Sequence, residues 1–217
     1  MKMVNRIILL SLVVIGLVVV SAGVASAQDV YKVNYFDFNS PTLGGFPVPD
    51  ATVHIDNPGL TYGNLCAMIY VFAADQQLTE CCSCFISPNA LLQFSVNNDL
   101  TGNPVTGVKS TAGDIKVTSS FTANKCTVSE TANGQTLNIA VAGQNYNPIG
   151  SLRVWGTHSR PTAPGLVTVT EVPFIKGELD PDGTELQSLQ TRCFNLQSKG
   201  TLAGRCTCPS ESVNGSK

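Results

Sequence analysis

Residues Asn64 to Cys84 read NLCAMIYVFAADQQLTECCSC. From Leu65 to Ala73 the run is apolar or aromatic throughout, with no polar residue to mark an outer face. A run of that length and β-branched or aromatic content reads as a strand buried on both sides. Ala74 to Gln77 break it, and Leu78 to Cys84 returns as a second strand carrying three of the eight cysteines. The stretch therefore reads as the central hairpin of an all-β domain, tied through Cys81, Cys82 and Cys84 to distant chain. If the second strand is extended, Cys82 and Cys84 share one face and Cys81 points to the other.

Working outward, short strands separated by turn residues are expected on both sides. Val30 to Phe38 is one, ended by Asn39-Ser40-Pro41; residues 42–50, with Gly44-Gly45 and two prolines, form a loop. Thr52 to Asp56 alternates, with Val53 and Ile55 inward and His54 outward, and Asn57-Pro58-Gly59 is a turn. Leu91 to Val96 sets Leu92, Phe94 and Val96 on one face, and Asn97 to Pro104 reads as a polar loop. Further strands are expected at Asp114–Phe121, Thr136–Ala142 and Ser151–Trp155. In the segment Gly165–Ile175, Pro173 marks an edge or a bend.

One segment changes period. Thr184 and Gln187 fit a capping box, Leu186, Leu189, Cys193 and Leu196 recur at helical spacing, and Gly200 lies beyond the end. The spacing predicts a helix near 184–197. Together these elements predict a disulfide-stabilised β-sandwich with one short C-terminal helix, a single domain over 28–208 followed by a flexible tail at 209–217.

Lys2 and Arg6, the aliphatic run Ile7 to Val20 and the exit Ala25-Ser26-Ala27 are the three parts of a cleavable secretory signal, residues 1–27. A retained anchor would need about 20 apolar residues and a charged stop beyond, and only Gln28 and Asp29 follow. The expected product starts at Gln28, keeps no stable membrane anchor and is secreted or extracytoplasmic, in a periplasm or at a cell surface. Two of the 13 basic residues lie in the leader, leaving eleven against fifteen acids and a formal charge of −4. The remaining basic residues are scattered, so nucleic acid finds no electrostatic footprint.

Eight cysteines in an exported chain point to disulfides. Cys66, Cys81, Cys82, Cys84, Cys126, Cys193, Cys206 and Cys208 form an even set with many pairings open. Two bridges from the Cys206-Thr207-Cys208 tail to the Cys81–Cys82–Cys84 cluster would close long loops. Zinc knuckles leave two to four residues between ligands; Cys82 and Cys84, like Cys206 and Cys208, leave one. No metal or cofactor is expected.

The hairpin block, the later SVNNDLTGNPVTGV, LRVWGTH, and the cysteine-bearing helix with RCTC resemble a group of secreted bacterial cysteine-containing β proteins. That resemblance spans most of the mature chain and implies an extracytoplasmic location, but supplies no catalytic or binding residues.

No catalytic residue is assigned. His54 and His158 are the only histidines, no G-x-S-x-G elbow or H-E-x-x-H is present, and the neighbours His158 and Ser159 do not make a triad. Asp180, Asp182 and Glu185 only faintly follow a calcium loop; a turn before the helix explains them, and a turn likewise explains Asn97, Asn98 and Asp99. Trp155, the single tryptophan, is the candidate ligand contact, able to stack on a sugar or to pack against its surroundings. The expected role is a structural or adhesion-type interaction protein, not an enzyme, whose partner is a second copy, another surface protein or a glycan. A glycan- or small-ligand-binding module is the alternative, with a secreted hydrolase behind it.

Overall fold

A strand that is apolar on both faces needs cover on both faces, and the computed structural model supplies it. The structure describes residues 31–37, 51–60, 63–122, 126, 129–130, 137–138, 152–163, 166–177, 179–180, 184–200, 206, 208 and 212–213. In chain order the strands are β1 (Tyr31–Asp37), β2 (Thr52–Asn57), β3 (Asn64–Ala73), β4 (Leu78–Ile86), β5 (Ala90–Ser95), β6 (Ala112–Thr122), β7 (Ser129–Glu130) and β8 (Leu137–Asn138). They continue with β9 (Arg153–Ala163), β10 (Leu166–Pro173), β11 (Ile175–Gly177) and β12 (Ser212–Val213), while helix α1 (Thr184–Lys199) precedes β12. Two five-stranded antiparallel sheets carry the fold, in orders β11-β1-β6-β3-β4 and β10-β9-β2-β5-β12; β7 and β8 pair separately.

The sheets pack into a β-sandwich. Leu65, Ala67, Ile69 and Val71 of β3 join Val53 and Ile55 of β2, Leu92 and Phe94 of β5, and Val154 of β9 in the core. The alternate β3 residues Met68 and Tyr70 lie in a second cluster with Cys81 and the α1 residues Leu189 and Cys193. So β3 lies between the opposite sheet and the helix. Full burial of each large side chain is worth about 1.5–3 kcal/mol, and a polar residue on either face would forfeit that.

β4 is the outermost strand of its sheet, yet most of it is buried, because three disulfides bring covering chain to it. Cys81 bridges Cys193 of α1, Cys82 bridges Cys206, and Cys84 bridges Cys208, at Cα separations of 5.8, 5.7 and 5.5 Å. Cys82 and Cys84 belong to the core between the sheets, and Cys81 to the cluster under α1. The expected division of the cluster between two faces holds, and so do both expected tail bridges. Cys66 pairs with Cys126, so none of the eight thiols is free.

A disulfide closing a loop of about 100 residues stabilises by about 4.7 kcal/mol in the chain-entropy model. The loops closed by the three bridges on β4 overlap, however. Once Cys81–Cys193 has formed, the other two close only the short stretches after it, and their main effect is to fix the register of the tail along β4. The fully buried Glu80 supports that register. Its carboxylate accepts from the backbone N–H of Cys81 at 2.8 Å, from that of Cys206 at 3.1 Å, and from Gln197 Nε2 at 3.3 Å. A charge taken out of water is tolerable only with such donors. Here the donors come from strand, tail and helix.

The two sides of the sandwich close differently. On the β4 side the tail crosses over, since Ser212–Val213, within the stretch expected as a flexible tail, pairs with β5 of the second sheet. On the other side the chain itself changes sheets. β10 ends at Pro173 beside β9, Phe174 is buried in the core, and Ile175 opens β11 against Val33 of the first sheet. Pro173 thus marks both an edge and a bend, as its lack of an N–H predicts.

Three expectations are corrected. Asn97–Pro104 is not all loop: Val96–Leu100 forms one wide helical turn with Val96 and Leu100 buried. The strand expected at Ser151–Trp155 runs on to Ala163 through Pro161. α1 extends to Lys199, and Thr184 is its first residue, its hydroxyl donating to Asp180 Oδ2 at 3.4 Å. The signal at 1–27 and most of the strand expected at Thr136–Ala142 lie outside the described residues.

Gly113 faces Ala73 where β6 meets the end of β3. A Cβ there would fall 1.8 Å from the Phe72 carbonyl oxygen, so the backbones approach as only glycine permits. Gly113→Ala should therefore destabilise the domain by about 1–3 kcal/mol or more, read as a lowered denaturant midpoint. An unchanged midpoint would contradict this register.

Candidate functional site

The outer face of the second sheet holds two of the residues that sequence singled out, His54 and Trp155. β2 pairs His54 with Trp155 of β9 on one side and with Gln93 of β5 on the other, and Trp155 in turn pairs with Pro173 of β10. These four positions make a row across the sheet. Along it the His54 and Trp155 rings stack, with centroids 5.0 Å apart and an interplanar angle of 12°. His54 Nε2 lies 3.1 Å from Thr52 Oγ1, which also hydrogen-bonds Thr157 Oγ1 across the strand pair. In the next row along the strands, Asp56 sits opposite Arg153.

A sugar stacks on an open aromatic face, and one indole face is already covered by the imidazole. The tryptophan packs against its strand neighbour on the outside of the sheet. Burial holds the His54 imidazole below the usual histidine range, partly offset by the Glu171 carboxylate. Its Nδ1 is buried without a hydrogen-bond partner. Burial also pushes the Asp56 carboxyl up, against the opposing pull of Arg153.

The two histidines do not converge. Strand alternation puts His54 and His158 on opposite faces of the second sheet. The same alternation turns Ser159 away from His158, so the neighbouring hydroxyl and imidazole point in opposite directions. His158 instead meets Tyr35 of β1 edge to face, centroids 5.0 Å apart.

The acidic loops are also accounted for locally. Asp99 Oδ2 accepts from Ser95 N–H at 2.7 Å, and the Asn97 carbonyl accepts from Lys109 Nζ at 2.9 Å, so this segment ties itself into a turn. Glu185 lies 3.9 Å from Lys116, and Asp182 is outside the described residues. Among the described residues no group of three or more His, Cys, Asp or Glu side chains is placed to hold a metal ion. The clefts among the described residues are open surface grooves. One lies between the β3–β4 turn and residues 103–112, lined by Asp75, Thr79, Lys109 and Thr111 among others.

Sequence reasoning missed Glu80. The signal was available as the one charged residue in a strand that carries three cysteines, a place where an acid is rare unless paired. Comparison with family models, curated proteins and solved structures gives no match.

A histidine whose folded pKa is depressed resists protonation in the native state. Its contribution to stability is complete at neutral pH and falls as pH drops through the unfolded value near ~6.5 toward the lower folded one. The raised carboxyl of Asp56 acts in the opposite sense, since the folded state takes up that proton first. Melting temperatures taken from pH 7 downward should therefore decline less steeply in His54→Gln than in the parent chain. Equal slopes would show that His54 is not the group responsible.

Proposed function

We propose that the chain is a secreted structural or interaction protein of the adhesion type, acting outside the cytoplasm through its surface. The four disulfides suit an oxidising, extracytoplasmic compartment. The single observation that carries the reading is the fastening of β4. Three bridges and a buried carboxylate hold helix, strand and tail in one register, an arrangement that hardens a scaffold and leaves its thiols without redox or metal chemistry. The histidines face apart, and the hydroxyl beside His158 points away from it. A glycan-binding role draws less support, because His54 covers a face of Trp155.

The test compares three variants for folding and for association with the producing cell's surface. Cys82→Ser should be the damaging one, since losing a native bridge typically costs about 2–5 kcal/mol. His158→Ala should leave melting and surface association nearly unchanged. Trp155→Ala should lower the melting temperature through loss of the ring stack. If it instead abolished glycan binding at unchanged melting, the ligand-module reading would replace ours, and turnover lost in His158→Ala with an intact fold would establish an enzyme.

A further inference from the structure

Among the described residues β10 is left open where the other sheet edges are short or covered. Of the four edge strands, β12 and β11 have two and three residues, and β4 carries the bridged tail. β10 has eight residues, LVTVTEVP, and among the described residues its strand partner is β9. Leu166 and Val169 are 60% and 63% exposed, and Ile175, at the neighbouring edge of the first sheet, is 74% exposed. Open edges of this kind are usually blunted by lysine, proline or a bulge. Here the bulge lies at Leu166/Val167 and the proline at position 173, so both devices sit at the ends and Val-Thr-Val-Thr between them has neither.

The hydrogen-bonding direction follows from one contact. Phe174 N–H donates to the Val154 carbonyl at 3.3 Å. Bonded and non-bonded positions alternate along an antiparallel pair, so residues 172, 170 and 168 turn their backbone groups to β9. Residues 171, 169 and 167 turn theirs outward. Pro173 fits this phase, for its missing N–H falls on the outward side.

We propose that the β10 edge pairs antiparallel with β10 of a second copy of this chain, about a two-fold axis through Val169. The inference rests on the interaction reading above and names its partner. In that register Val169 meets its own copy, Thr168 meets Thr170, and Glu171, the strand's one charge, meets Val167 rather than itself. Every outward N–H from 167 to 171 finds a carbonyl, about six bonds in all, and the threonine pairs occupy the closer, non-bonded positions where such pairs add stability. No like charges oppose each other. Strand pairing alone buries less than the roughly 1,000 Å² of a standing interface, even with Ile175 brought under cover, so the dimer is weak and concentration-dependent.

Sedimentation equilibrium on the mature chain, up to high micromolar concentration, tests this. The parent chain and Val105→Lys, which makes the same change at an exposed site elsewhere, should dimerise alike. Val169→Lys should weaken the dimer by roughly tenfold or more by setting two lysines face to face. Its melting temperature should stay near the parent's, because the Val169 side chain is mostly exposed and its backbone groups face away from β9. A parent chain monomeric throughout, or a dimer indifferent to Val169→Lys, overturns the pairing. Neither result touches the broader interaction role, which stands or falls on the surface-association comparison above.

Discussion

The structure depends on covering a strand that has no solvent face. β3 must be buried from two directions, and the opposite sheet can serve only one of them. The helix serves the other. An isolated sixteen-residue helix with a narrow apolar stripe, Leu189 and Cys193 at its centre, would be marginal on its own. The Cys81–Cys193 bridge holds it at the sheet, and Gln197 bonds from its last turn to the Cys81 carbonyl. The all-apolar run and the cysteine cluster are thus two halves of one arrangement.

The same fastening answers the edge problem on that side. β4 would otherwise expose a row of backbone groups; the tail carrying Cys206 and Cys208 lies against it, with Glu80 bonding the Cys206 N–H. From there the chain reaches β5, so one covalently anchored segment touches both sheets. The opposite side is closed by the passage through Phe174, and among the described residues the eight-residue edge of β10 stays open there. Covalent fastening is thus concentrated on one side of the sandwich.

Much of this was legible because strand periodicity is short and strict. A period of two separates Cys81 from Cys82 and Cys84 wherever the strand lies, and that alone divides the bridges between faces. Pro173 announced an edge for the same kind of reason. What could not be read depends on contacts distant in sequence. Nothing near Glu80 names its donors, which arrive from residues 197 and 206. Pro161 sits toward the end of β9, where β2 no longer pairs among the described residues, so its missing N–H breaks no ladder bond there. The polar letters of Val96–Leu100 hid a turn whose two apolar ends are the buried ones. As for Trp155, the alternation gave its face correctly, but a neighbour across the strand pair, not its own surroundings in sequence, decided what the ring stacks on.

The most direct test of this account is disulfide mapping of the unreduced protein by mass spectrometry after trypsin and chymotrypsin. Cleavage at Arg192, Lys199 and Arg205 separates Cys193 from the Cys206–Cys208 pair, and cleavage at Tyr70 or Phe72 separates Cys66 from the cluster. The account predicts the Cys81–Cys84 fragment joined to both C-terminal fragments at once, with Cys66 joined to Cys126 apart from them. A cluster linked to Cys66 or Cys126, or found with free thiols, would contradict it.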